Sequence, residues 1–470
     1  MNEKDRNFIK RINNSNFNEE IEHFKNDLKN ATFLSLDTEF SGIGFSNIRQ
    51  NDISERYVAM LKVLRNRSLY ELGVAIYTQL DEDDSSDKNE YSTSSRKRKL
   101  NLTRRYEIKI YNFVLLNSFD HTISPHSMTF LAQHGFDFNE LFLHGIPFNV
   151  KKHDEAPPTS PYKIIIDSLS KCNVPVIVHN GILDLLFIFQ TFIAELPDQL
   201  TDFISILLKY FPKVFDTKYI SEYCDNPETR SFLPYLFSKY ERHNFQRIQN
   251  EKSHISCEIK GYSIPFINIT HSLYKPWENN VKLCSDFSNH GYCKLGMQCK
   301  NSHDITLILD QEEHKRNKVR ERKRIKLQQK ELQQEEEKTK DDIGVTIDNN
   351  ENQKDKDSDS EIEESEEISN NNNNSNVINQ VAKFGNYNIH SAGFDAAMTG
   401  FVFCYFHMTV PDLANLDQSK FLNRIYLSGK NTSLYLQATK YPTTNTSTTT
   451  PSSFNSLITS TYHKKKWNIK

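Results

Sequence analysis

Apolar periodicity returns late in this chain, at VAKFGNYNIHSAGFDAAMTGFVFCYFHM (381–408), after a long polar stretch. That return restricts the folds open to the chain more than any other feature. The run AAMTGFVFCYF reads as a helix that is apolar on nearly every face, and such a helix must be covered on all sides. A unit of ~60 residues rarely supplies so much covering surface alone. The reading that satisfies it is one fold begun in residues 1–245, interrupted by a large insertion, and completed by 381–440.

The first part has the rhythm to accept such a helix. Apolar runs alternate with amphipathic ones, as in an α/β domain. ATFLSLDTEF (31–40), LYELGVAIYTQL (69–80) and RYEIKIYNFVL (105–115) read as strands, with a solvated acidic-then-basic loop at 81–99 between the last two. SMTFLAQHGF (127–136) reads as a helix, VPVIVHN (174–180) as a short strand, and GILDLLFIFQTFIAEL (181–196) as a strongly apolar helix. DFISILLKYF followed by VFDTKYI (202–220) gives a further helix and then a strand.

The insertion divides by composition. A connector (246–277) leads to a Cys/His-dense segment (278–306), and then to a charged helix with a basic first half (307–340). An acidic, Asn-rich linker (341–380) follows, whose composition is that of disorder, and a polar tail (441–470) closes the sequence. Hydrophobic residues are 37% of 470, enough for one sizeable core but not for a core along the whole length. The net charge of −3 neither favours nor excludes a nucleic-acid partner, so local clusters such as KRNKVRERKRIK (315–326) carry that question. That run fits a nuclear-targeting signal, a contact to RNA phosphates, or a solvated helix. Seven cysteines, an odd number with no scaffold pattern, fit a reducing compartment. The N-terminal residues lack the apolar core of a signal peptide, and no stretch approaches the ~18 apolar residues of a membrane span. A soluble intracellular chain with no membrane partner is expected.

Acids fall at unusual places. Asp37 and Glu39 lie two apart on the first of these strands, so both project to one face. Paired carboxylates on an apolar strand are costly unless solvated at the strand end or neutralised by a cation. Asp184 sits in the first turns of the apolar helix after HNG, where the helix N-terminus also favours an acid. His390 and Asp395, in HSAGFDAAMTGF, again carry an acid into an apolar helix. His179 and Asp216 read as structural rather than ligating residues.

Cys284, Cys293, Cys299 and His303 follow C-x8-C-x5-C-x3-H without deviation. Three thiolates and an imidazole close a tetrahedral shell, so the expected occupant is one structural Zn2+. The spacing resembles the CCCH finger family, whose members commonly bind single-stranded RNA. Phe287 and Tyr292 are candidate RNA-binding platforms for stacked bases, or else packing around the metal.

Taken in order, Asp-x-Glu on a first strand, an acid in a helix after a central strand, and a final His-x4-Asp resemble the DEDD superfamily of 3′→5′ exonucleases, in its histidine subclass. The closer resemblance is to the branch holding poly(A)-specific ribonuclease and the Caf-type deadenylases, including its zinc-finger-bearing nuclear members. DTEFSGIG (37–44), VIVHNGILDLLFIFQTFIAELP (177–197), VFDTKYISEY (214–223) and HSAGFDAAMTGFVFCY (390–405) carry it. The resemblance implies a ribonuclease-H-like mixed sheet flanked by helices. It implies that Asp37, Glu39, Asp184 and Asp395 ligate a pair of Mg2+ or Mn2+ ions, and that His390 is the general base. It also implies a poly(A)-specific 3′→5′ exoribonuclease in the nucleus that releases 5′-AMP from single-stranded RNA with a 3′ adenosine tail, among small nuclear and other non-coding RNAs. A DNA 3′→5′ exonuclease and a catalytically silent RNA-binding adaptor are the rival readings.

Overall fold

The computed structural model describes residues 8–44, 50–80, 103–149, 155–259, 262–264, 281–341, 391–429 and 432–437. The loop read at 81–99, the linker read at 341–380 apart from Asp341, the tail at 441–470 and His390 lie outside the described residues. By density of contacts the chain forms two units, the first of residues 1–270, 285–296 and 385–470, the second of 271–284 and 297–384.

The first unit is built on one mixed sheet. Its strands are β1 (Ile9–Ile12), β2 (Phe33–Phe40), β3 (Leu69–Leu80), β4 (Thr103–Asn117), β5 (Ile146–Phe148), β6 (Val176–Val178), β7 (Val214–Asp216), β8 (His254–Ile259), β9 (Tyr262–Ile264), β10 (Arg424–Ile425) and β11 (Leu434–Tyr435). The order is β11-β10-β7-β6-β2-β3-β4-β8-β9, with β1 and β5 paired in addition to β4. β2, β6, β7 and β10 run parallel, while β3 is antiparallel to both β2 and β4. This is the mixed sheet flanked by helices that the sequence leads one to expect.

Alternation along the strands sorts side chains into two layers. Leu34, Leu36, Leu72, Val74, Ile76, Tyr111 and Phe113 pack with α1 (Phe17–Leu28), α2 (Ile53–Leu64), α5 (Pro161–Cys172), α6 (Ile182–Ile188) and α7 (Leu200–Tyr210). The opposite face carries Phe33, Ser35, Asp37 and Glu39, and it is covered by the last helix, α12 (Ala392–Thr409). Two helices of the first unit, α3 (Pro125–Gln133) and α4 (Phe138–His144), pack beyond β4, and two more, α8 (Thr217–Tyr223) and α9 (Leu233–Gln249), follow β7. Nearly all of β3 is buried, as befits a strand covered on both faces.

α12 earns its burial on this sheet. Phe403 meets Phe33 at 5.1 Å and Phe215 at 5.5 Å between ring centroids, and Tyr405 stacks on Tyr240 of α9 at 4.5 Å. Tyr77 of β3 donates its hydroxyl to the Ala397 carbonyl at 2.6 Å. The helix approaches so closely because β3 has a glycine beneath its first turn: a Cβ on Gly73 would lie 2.0 Å from the Ala392 carbonyl carbon. Ser391 caps α12 by accepting from the Phe394 amide.

Two local expectations are corrected. VFDTKYI forms a strand only through Asp216, and α8 begins at Thr217 because the Asp216 carboxylate accepts from the Lys218 and Tyr219 amides as its N-cap. The apolar helix after HNG does not run evenly to 196. It passes from α6 into a π-helical turn at Phe189–Ile193 and stops at Ala194, whose backbone is extended.

The segment 285–296 of the first unit includes a short helix, α10 (Ser285–His290). Arg230 donates from Nε to the Ser288 carbonyl at 2.6 Å, and Phe232 packs on the Phe287 ring at 5.9 Å. The second unit holds α11 (Ile305–Asp341), whose side chains from His314 to Leu332 are all exposed. No helix among the described residues is long and apolar enough to cross a membrane.

Candidate active site

The two carboxylates of β2 point to the α12 side because their odd-numbered positions share the face of Phe33 and Ser35. α12 brings Asp395 to meet them. Carboxylate oxygens of Asp37, Glu39 and Asp395 all lie within 4.8 Å of one another. Asp184 comes from the opposite layer, in the first turn of α6, and accepts a hydrogen bond from Thr38 Oγ1. Thr38 faces that layer by the same alternation that turns its neighbours away. The structure therefore gathers Asp37, Glu39, Asp184 and Asp395 around the C-terminal end of β2.

The electrostatics are those of a crowded acidic pocket. Burial pushes the Asp37 carboxyl well above its ordinary value, and Asp184, Asp395 and Glu39 add to the rise. Burial does the same to Glu39, reinforced by Asp395, Glu71 and Asp184. Asp184 is raised by burial to about 6, against the opposing hydrogen bond from Thr38, and Asp395 is raised by burial and by Asp184 to about 8. Four acids held this way fit hard divalent cations, which take oxygen ligands and would cancel the repulsion.

Two flanking residues are structural. Burial holds the His179 imidazole neutral, its pKa pushed down to about 3 with help from Lys218, and Nδ1 lies 2.9 Å from Thr217 Oγ1. Asp216 is fully buried, and its carboxylate accepts from the amides of Asn180, Gly181, Lys218, Tyr219 and Tyr426. It locks the turn that launches α6 and hence Asp184.

Elsewhere, in the second unit, the ligand atoms of Cys284, Cys299 and His303 lie within 4.8 Å of one another, donors that suit Zn2+, and Cys293 falls in the 285–296 segment of the first unit. Phe287 is part-buried against Phe232, whereas Tyr292 is 53% exposed.

Thr38 and Gly73 shape the site without standing out as site residues in the sequence. For Thr38 a signal existed, since it stands between the two acids on an alternating strand.

Comparison with known proteins gives the class. The CAF1 family ribonuclease profile matches residues 12–162 and 151–403. The chain belongs to the CAF1 family of ribonucleases. Among curated relatives it is 30% identical over 106 residues to the pre-piRNA 3′-exonuclease trimmer of Bombyx mori, covering 23% of this chain and 19% of that protein. It is 28% identical over 151 residues to the poly(A)-specific ribonuclease PARN of Danio rerio, covering 29% and 20%. A probable CCR4-associated factor 1 homolog 1 of Arabidopsis thaliana is 23% identical over 226 residues, covering 48% of this chain and 55% of that one. The matches thus span about a fifth of the first two relatives and just over half of the third. A solved structure of S. pombe Pop2p in its Mg2+- and Mn2+-bound form aligns with a TM-score of 0.37 at 19% identity, covering 50% of this chain and 83% of that one.

Proposed function

We propose that this protein is a metal-dependent 3′→5′ exoribonuclease, a deadenylase that releases 5′-AMP from 3′ adenosine tails. The observation that carries the reading is the meeting of Asp37 and Glu39 with Asp395, more than 350 residues later in sequence, beside Asp184. These four acids would hold a pair of Mg2+ or Mn2+ ions, which supply activation of water and stabilisation of the departing 3′-oxygen. Thr38 fixes the rotamer of Asp184, and Asp216 fixes the turn before it. His390 would accept the proton of the attacking water, a role that imidazole chemistry suits. The water oxygen bonds to the terminal phosphorus and the bond to the preceding 3′-oxygen breaks.

The Cys3His set would hold one zinc and, with the basic half of α11, add affinity for single-stranded RNA beyond the pocket. Tyr292 is the exposed aromatic of that segment, and a base-stacking role falls to it ahead of Phe287, which packs on Phe232. The basic run and the finger together favour a nuclear, zinc-finger-bearing deadenylase that trims small nuclear and other non-coding RNAs.

The test pairs the full-length protein with its Asp37→Ala variant on 5′-labelled oligo(A) RNA in Mg2+. A ladder shortening from the 3′ end with the first and none with the second is expected. Equal shortening by both overturns the site. Oligo(dA) of the same length separates an RNase from a DNA exonuclease, and binding without shortening at every metal concentration points to an adaptor.

A further inference from the structure

A second buried acid lies beside the pocket, and it is already spoken for. Glu71 on β3 sits opposite Glu39 on β2, and its side chain is 1% exposed. Arg11 Nη2 donates to Glu71 Oε1 at 2.6 Å, while Arg11 Nε donates to Glu140 Oε2 at 2.9 Å. Glu140 Oε1 in turn accepts from Asn13 Nδ2 at 2.9 Å. The other oxygen, Glu71 Oε2, accepts from Asn112 Nδ2 at 2.7 Å. Asn112 is fully buried, and its Oδ1 accepts from the Gly393 amide at 3.2 Å.

We propose that Glu71, Arg11 and Asn112 form a positioning element that fixes where Asp395 stands relative to Asp37 and Glu39. A carboxylate only accepts hydrogen bonds, so Glu71 dictates that Asn112 turns its NH2 towards β3 and its oxygen towards α12. Flipping the amide would set oxygen against oxygen and nitrogen against the Gly393 N–H. The oxygen so aimed holds the backbone two residues before Asp395, in the first turn of α12. Arg11 occupies Glu71 Oε1 and leaves Oε2 for Asn112. The line of contacts runs across the sheet along Gly73, the register partner of both Asp37 and Asn112, where no side chain intervenes. An ion pair with one member buried is weak evidence for stability alone, because apolar replacements of similar volume are often as stable. Hydrogen-bonded partners that orient metal-binding groups give such a network a second use.

The inference rests on the nuclease reading, and its test separates the two. Mn2+ binding to the full-length protein is followed by electron paramagnetic resonance, with Asp37→Ala defining the carboxylate-dependent ions. Asn112→Leu keeps the volume and removes both hydrogen bonds. It is expected to weaken that Mn2+ binding about 10–100-fold and to lower kcat on oligo(A) similarly, with KM for RNA nearly unchanged. Glu71→Gln still offers Asn112 an acceptor but turns its NH2 towards the Arg11 donor, so it is expected to fall between wild type and Asn112→Leu, and Glu71→Met to behave like Asn112→Leu. Arg11→Lys against Arg11→Met gives the same contrast nearer the surface, should the buried variants fail to fold. If wild type binds Mn2+ in an Asp37-dependent way and Asn112→Leu, or Arg11→Met in its place, binds equally well, the positioning role is overturned and the nuclease reading survives. If wild type shows no Asp37-dependent Mn2+ binding, both fall.

Discussion

Gly73 and Ala392 touch backbone to backbone: a Cβ added to Gly73 would lie 2.0 Å from both the carbonyl carbon and the carbonyl oxygen of Ala392. Main-chain atoms cannot swing aside as a side-chain tip can, so the helix start and the strand are held at a separation only glycine permits. Gly73→Ala should therefore lift the first turn of α12 and draw Asp395 away from Asp37. A cost of about 1–3 kcal/mol in urea denaturation is expected, together with weaker Mn2+ binding. Unchanged metal affinity in a folded Gly73→Ala protein would show that the close approach is unimportant to the pocket.

Asp216 offers a sharper stability test. Its Oδ1 accepts from Asn180, Lys218 and Tyr219, and its Oδ2 from Gly181 and Tyr426. Asp216→Ala strands several buried donors and should destabilise by about 4 kcal/mol or more. Asp216→Asn keeps one acceptor but opposes its NH2 to two amides, so it should fall between wild type and alanine. Denaturation midpoints check the order, and an alanine variant as stable as wild type contradicts the clamp.

The acidic pocket predicts an inverted pH dependence in the metal-free protein. Asp184 and Asp395 are raised from 3.8 to about 6 and about 8, chiefly by burial. Between those limits the folded chain holds more protons than the unfolded one, so their contribution is complete below pH 3.8 and is lost as pH rises through about 6 and 8. Divalent cations compete with those protons. The rise in Tm on adding Mn2+ should thus be small near pH ~5 and larger near pH ~8, and Asp395→Asn should flatten the difference. A gain independent of pH would contradict it.

For the Cys3His cluster, metal analysis of the purified protein is expected to give about one zinc per chain, falling towards none in Cys299→Ala. Chelation should release it and speed amide exchange across residues 284–303. Equal zinc in the variant would remove Cys299 from the ligand set.

Much of this architecture was legible because it depends on short-range periodicity. The strand read at 69–80 has those limits in the structure, and the two-residue spacing of Asp37 and Glu39 was enough to place them on one face. The start of α8 at Thr217 was legible in principle, since Asp216 is a good helix cap, but TKYI reads as a continuation of the strand VFD. What stayed hidden depends on register. Nothing in the sequence says that Glu71 faces Glu39, that Asn112 faces Gly73, or that a helix 320 residues on will settle over that glycine. The π-helical turn at Phe189–Ile193 was hidden likewise, because nothing in FQTFI marks it.

The distance in sequence between β2 and α12 has a consequence for how the protein is made. A ribosome finishes Asp37, Glu39 and Asp184 long before it reaches Asp395, so the emerging polypeptide carries an incomplete pocket through most of its synthesis. Until α12 is released, Phe33, Tyr77 and Phe215 have no cover on that face. Over that interval three of the four acids stand without the fourth and an aromatic face of the sheet lacks its cover, and both conditions end with the arrival of one helix.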